Sequence, residues 1–124
     1  MIQAKNFLIV NFVLFVALGL SHTGLATQSY VLSVQQLNTG LKKASSPSQK
    51  GFLLVDVRTP EEHRGGFIPG TDFNIDYREL QQRYRELEAT VDDHIVVYCQ
   101  SGHRSNIAAE MLTDLGYKYV YNVE

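Results

Sequence analysis

The single cysteine of this chain of 124 residues, Cys99, leads directly into Gln100-Ser101-Gly102-His103-Arg104. That run holds what a thiol nucleophile acting on an anion requires. Gly102 reaches backbone angles closed to other residues, so the loop can turn back and aim successive amides at one point. A helix opening near Ser105 would add its positive end, and Arg104 a full charge. Both favour the thiolate, the reactive form of cysteine, and any anion beside it. A lone cysteine in an arbitrary domain is more often a small buried apolar group, but the glycine, the arginine and the helix start favour a nucleophile here. His103 has two readings, an acid or base in the chemistry or a loop residue facing solvent. His63 and His94 read as surface residues. The histidines and the cysteine lack metal-ligand spacing, so neither metal nor cofactor is expected.

The unpaired thiol is given its context by the other end of the chain. Lys5 precedes an apolar run from Phe7 to Leu20, and the stretch closes on Gly24-Leu25-Ala26, with small residues where a signal peptidase inspects the chain. Residues 1–26 therefore read as a signal peptide and residues 27–124 as one domain exported to the periplasm or secreted. A permanent anchor is the rival reading, but a helix from Phe7 to Leu20 spans about 21 Å against roughly 30 Å of hydrocarbon. No cysteine follows the run to carry a lipid, so no membrane attachment is expected after cleavage. Oxidising compartments mostly hold thiols in pairs. With no partner in its own chain, Cys99 is incidental, joined to another chain or kept for its reactivity, and its neighbours point to the last.

Composition narrows the partners. A net charge of −2 with scattered lysines and arginines offers no basic stripe to follow a phosphate backbone, so nucleic acid is not expected. The seven tyrosines read as core and edge packing.

Alternating elements must position the cysteine loop. Tyr30 to Leu32 is a short extended entry, and Ser33 with Gln36 forms a capping box for a helix running to about Lys43. Ser45 to Ser48 is a loop. Phe52 to Val57 reads as a central strand buried on both faces. Thr59-Pro60-Glu61-Glu62 opens a short helix that Gly65-Gly66 stops. Ile68-Pro69-Gly70 is a turn, and Asp72 to Ile75 a brief strand. Asp76 and Glu79 predict a cap before a charged, solvated helix ending near Glu88. His94 to Tyr98 is a second buried strand. Ser105 to Leu115 is a helix with Ile107, Ala108, Met111, Leu112 and Leu115 on one face, closed by Gly116, and Tyr119 to Val123 is the last strand. The alternation implies an α/β fold, an open parallel sheet with helices on both faces. Cys99 then falls at the carboxyl end of a strand, where such sheets bind ligands.

From about Tyr30 onward the chain resembles a single-domain rhodanese. The resemblance rests on Leu54-Val55-Asp56-Val57-Arg58, Glu62, Gly66-Phe67-Ile68-Pro69-Gly70, Asn74-Ile75, the run Ile95 to Ser105, and Leu115-Gly116-Tyr117. It implies a rhodanese-like fold and sulfurtransferase activity, in which Cys99 takes a sulfane sulfur from an anionic donor such as thiosulfate and passes it as a persulfide to a thiophilic acceptor, small or protein. On this likeness the amides of Gln100, Ser101, Gly102, His103 and Arg104 cradle the persulfide, and Arg104 helps bind the donor. Asp56 and Arg58 match a supporting pair that steadies the loop.

Two departures bear on loop packing: Phe67 stands where the family most often has histidine, and Thr71 where it has alanine. The chain also stops at Glu124, where the family normally continues with paired glycines, a tryptophan and a closing helix, so the domain reads as C-terminally truncated. Two other functions remain. A cysteine-dependent phosphatase or arsenate reductase uses a similar loop, but with a longer gap between cysteine and arginine than the four residues found here. A sulfur-carrier or partner-binding module would keep the cysteine without turnover of its own.

Overall fold

Two apolar runs, Leu53–Asp56 (β2) and His94–Tyr98 (β4), pair in parallel with Leu54 opposite Val96 and Val55 opposite Val97. Because side chains alternate across a strand, this register sends Leu54 and Val96 to one face and Val55 and Val97 to the other, and all four are fully buried. The computed structural model describes residues 28–46 and 49–124. The expected signal peptide lies outside the described residues, as do Pro47 and Ser48 of the predicted loop.

Tyr119–Val123 (β5) joins the other side of β4, Tyr30–Leu32 (β1) joins β5, and Phe73–Asn74 (β3) joins β2. The five strands run parallel in the order β1-β5-β4-β2-β3. The strand read from Phe52 to Val57 as a central one is interior, and β4, which carries Cys99 at its carboxyl end, takes the middle of the sheet.

Val34–Lys43 (α1) covers one face, with Leu37 packed among Leu32, Phe52, Leu54, Val96 and Tyr121. Its start is the predicted capping box: Ser33 Oγ accepts from the Gln36 amide at 3.1 Å, and Gln36 Oε1 from the Ser33 amide at 2.8 Å. Pro60–Arg64 (α2) is capped the same way by Thr59 and Glu62 and buries no residue. It lies beside the carboxyl edge of β2. The opposite face is covered by Leu80–Arg83 (α3), a 3₁₀ turn at Tyr84–Leu87, and His103–Asp114 (α4). Among the described residues no helix is long and apolar enough to cross a membrane.

Three expectations are corrected. Asp76 does not cap a charged helix, because its carboxylate takes the Arg78 amide and guanidinium instead; in place of that helix the chain makes one α turn and a 3₁₀ turn. The last helix starts two residues early, at His103. Its buried face is Ser105, Ala108, Ala109, Leu112 and Thr113, while Ile107 and Leu115 are exposed. Small residues let the helix axis approach the sheet closely, which leaves the larger ones at the rim.

Candidate active site

The end of β4 is fastened before the loop begins. The Val57 amide donates to the Tyr98 carbonyl at 3.0 Å. The Tyr98 hydroxyl accepts from the Ile68 amide at 3.1 Å and lies 2.8 Å from Thr71 Oγ1, which itself donates to the Ile68 carbonyl. Thr71, a departure from the family pattern, is thereby built into the wall behind the loop. Phe67, the other departure, stacks on His63 with ring centroids 4.2 Å apart.

From Cys99 the chain turns through Gly102, at φ 93°, a left-handed conformation that glycine adopts without strain. The turn brings donors onto Cys99 Sγ. The Gly102 amide lies at 3.1 Å, the Ser105 amide at 3.4 Å and Ser105 Oγ at 3.2 Å. Burial alone pushes the thiol pKa up. The Ser105 hydroxyl and the amides of Ser105, Ser101 and Gly102 outweigh it, and the net shift is downward. A hydrogen-bonded, half-buried sulfur at the start of a helix has the surroundings that favour a thiolate.

Asp56 and Arg58 form an ion pair. Asp56 is fully buried, and its carboxylate accepts from the Arg58 amide at 3.0 Å and from Arg58 Nε and a terminal nitrogen at 2.9 and 2.7 Å. The same arginine donates to the Gly66 carbonyl at 2.7 Å and lies over the Tyr98 ring. Burial raises the Asp56 pKa, but the bonds from Arg58 and His63 prevail and hold it below the usual carboxylate value. The network therefore ties the ends of β2 and β4 to the segment after α2.

The other predicted residues divide. Gln100, Ser101 and His103 are exposed. Ser101 contributes its amide to the thiol; among the described hydrogen bonds, none to Sγ comes from Gln100, His103 or Arg104. Arg104 stands near the thiol but is gripped end-on by Glu62, with N–O distances of 2.7 and 2.9 Å. That grip holds the Glu62 pKa down to about 2.

Four contributors were not singled out as site residues from the sequence. Ser105 was read only as a helix start. Glu62 was read as a cap residue and reaches Arg104 across 42 positions. Asn122 is buried on β5, donates to the Gly102 carbonyl at 3.3 Å and has no hydrogen-bond partner for Oδ1 among the described residues. His63 is not the surface residue the sequence suggested, since its Nδ1 lies 2.9 Å from Asp56. His94 is corrected too. It is packed against Tyr119 and Tyr121 with Nδ1 3.0 Å from the Tyr121 hydroxyl, and burial lowers its pKa to about 4. Of these, only Asn122 gave no local signal in the sequence.

Known proteins share the sequence pattern and the fold. The family model described as a rhodanese-like domain matches residues 34–124. Thiosulfate sulfurtransferase PspE of Escherichia coli is 34% identical over 55% of this chain and 64% of its own length. Thiosulfate sulfurtransferase GlpE of Pseudomonas syringae is 32% identical over 67% of this chain and 76% of its own. The human single-domain sulfurtransferase TSTD1 superposes with a TM-score of 0.61 at 28% identity, covering 81% of this chain and 89% of that one. The chain spans 58% of the length of one curated relative it matches and 48% of another.

Proposed function

The chain belongs to the rhodanese-like family, and on that premise we propose that it is a sulfurtransferase that carries a sulfane sulfur on Cys99. The observation that carries this reading is the set of donors on Cys99 Sγ, from Gly102 and Ser105, with the pKa of the thiol lowered despite its burial. Thiolate attack on the outer sulfur of thiosulfate forms the Cys99 S–S bond as the donor's S–S bond breaks, and sulfite leaves with the electron pair. A thiophilic acceptor such as cyanide then attacks the outer sulfur, leaving as thiocyanate and returning the thiolate. The loop amides and the helix start stabilise negative charge in both steps. Gln100, Ser101 and His103 lie exposed around the sulfur, which suits an acceptor as small as cyanide or as large as a protein. Arg58 and Asp56 keep the loop in register without touching the reacting atoms.

The apolar run from Phe7 to Leu20 supports export as the setting. The test is intact-mass spectrometry of the folded protein after incubation with thiosulfate. One sulfur atom should be gained and then lost on adding cyanide, and the gain should be absent in Cys99→Ser. Folded wild-type protein that takes up no sulfur from any sulfane donor would overturn the reading.

A further inference from the structure

Among the described residues, the arginines along the carboxyl edge of the sheet are each held by a carboxylate: Arg58 by Asp56, Arg78 by Asp76 and Arg104 by Glu62. Of the three, Arg104 interacts electrostatically with the Cys99 thiol. Both of its terminal nitrogens face Glu62, and Asp76 is a second carboxylate near enough to act on it. The charge beside the thiol is therefore close to balanced rather than positive. A dianionic donor approaching Cys99 meets backbone amides and a cation whose field is largely offset by Glu62.

The clamp is held from both ends. While Glu62 grips Arg104, its Oε2 also accepts from the Thr59 amide and hydroxyl, each at 3.1 Å, as the reciprocal half of the α2 capping box. Turning Arg104 free would mean breaking a bidentate charge-assisted pair, the strongest kind of side-chain hydrogen bond. We propose that Glu62 is a specificity-determining residue, which by clamping Arg104 disfavours dianionic donors such as thiosulfate and leaves the site suited to sulfane donors of low charge, of the alkyl hydropersulfide class. The proposal rests on the sulfurtransferase reading. With an alkyl hydropersulfide, the Cys99 thiolate attacks the outer sulfur, which passes across with its hydrogen as the donor's S–S bond breaks. The alkyl thiolate leaves with the bonding pair, so no added oxidant or reductant is needed.

The test compares rates of sulfur loading on Cys99, followed by acid quench and intact mass, for the wild type and Glu62→Gln. Glutamine also serves at this position of a capping box, so the substitution removes charge while keeping the helix start. Thiosulfate loading should rise about three- to tenfold in Glu62→Gln and fall more steeply with added salt, while loading from an alkyl hydropersulfide should stay within about twofold. The gain should vanish in Glu62→Gln/Arg104→Gln and be absent in Glu61→Gln, which removes an exposed charge on the same helix. A thiosulfate rate in Glu62→Gln that is unchanged, lower, or raised equally with both donors would overturn the proposal while leaving the sulfurtransferase reading intact. Failure of every donor to load wild-type protein would overturn both.

Discussion

At Cys99 two opposing effects meet on one sulfur atom: burial favours the neutral thiol, while four hydrogen-bond donations favour the thiolate, and the donations prevail. Ser105 supplies two of the four, its hydroxyl and its amide. Ser105→Ala keeps the amide and loses the hydroxyl, worth about 0.5–1.5 kcal/mol as a single hydrogen bond. The thiol pKa should therefore rise, and alkylation by iodoacetamide at neutral pH should slow about three- to tenfold. A pH profile of alkylation measures both, with the midpoint moved upward in the variant. The sequence made Cys99, Gly102 and the helix start legible because all act within one short loop. It did not reveal the grip of Glu62 on Arg104 or of Asp56 on His63, since those contacts exist only after β2, α2 and β4 have come together.

The loop depends on how three elements end. β4 stops at Tyr98, α4 starts at His103, and the Gly102 between them accepts from Asn122 on β5. A side chain at Gly102 would be strained by its positive φ, and its Cβ would lie 3.3 Å from Glu124 Cγ and 3.5 Å from the Val123 carbonyl. Gly102→Ala should lower stability by about 1–2 kcal/mol, read as a shift in the urea midpoint. Sulfur loading should fall by a larger factor than stability alone explains, because the Gly102 amide is one of the donors on Sγ. Local signals served well where they were local. Ser33-Gln36 and Thr59-Glu62 both form the capping boxes their spacing predicts. The same pattern failed at Asp76, where Arg78, two residues away, offers a charged fork that outcompetes a backbone amide. Helical periodicity likewise misplaced Ile107 and Leu115, because close approach of α4 to the sheet selects small residues over large ones.

Across the whole molecule, the alternation of elements made a parallel sheet with helices on both faces legible from the sequence. The strand order was not, since it depends on pairings between distant segments. His94 shows what such assembly adds. The Tyr121 hydroxyl, kept protonated by burial, and the His94 ring share a hydrogen bond inside the packed aromatic cluster. The folded His94 titrates at about 4, against 6.5 for the ordinary group. Between those values the unfolded chain binds more protons, so stability falls as the pH drops from about 6.5 towards 4. The ring keeps some contact with water, which limits the effect to about 1–2 kcal/mol. Thermal unfolding at pH 7 and pH 4.5 should show a larger drop in Tm for the wild type than for His94→Gln. The chain's single cysteine has a practical consequence as well. With no second thiol to compete, every equivalent of a thiol-selective reagent consumed by the folded protein reports the same residue, so occupancy by sulfur can be titrated as a fraction between zero and one. The molecule is thus its own stoichiometric gauge in purified form: a label on the persulfide is held through a disulfide and is removed by a reductant, a label on the bare thiol is a thioether and stays, and the ratio of the two counts loaded copies directly.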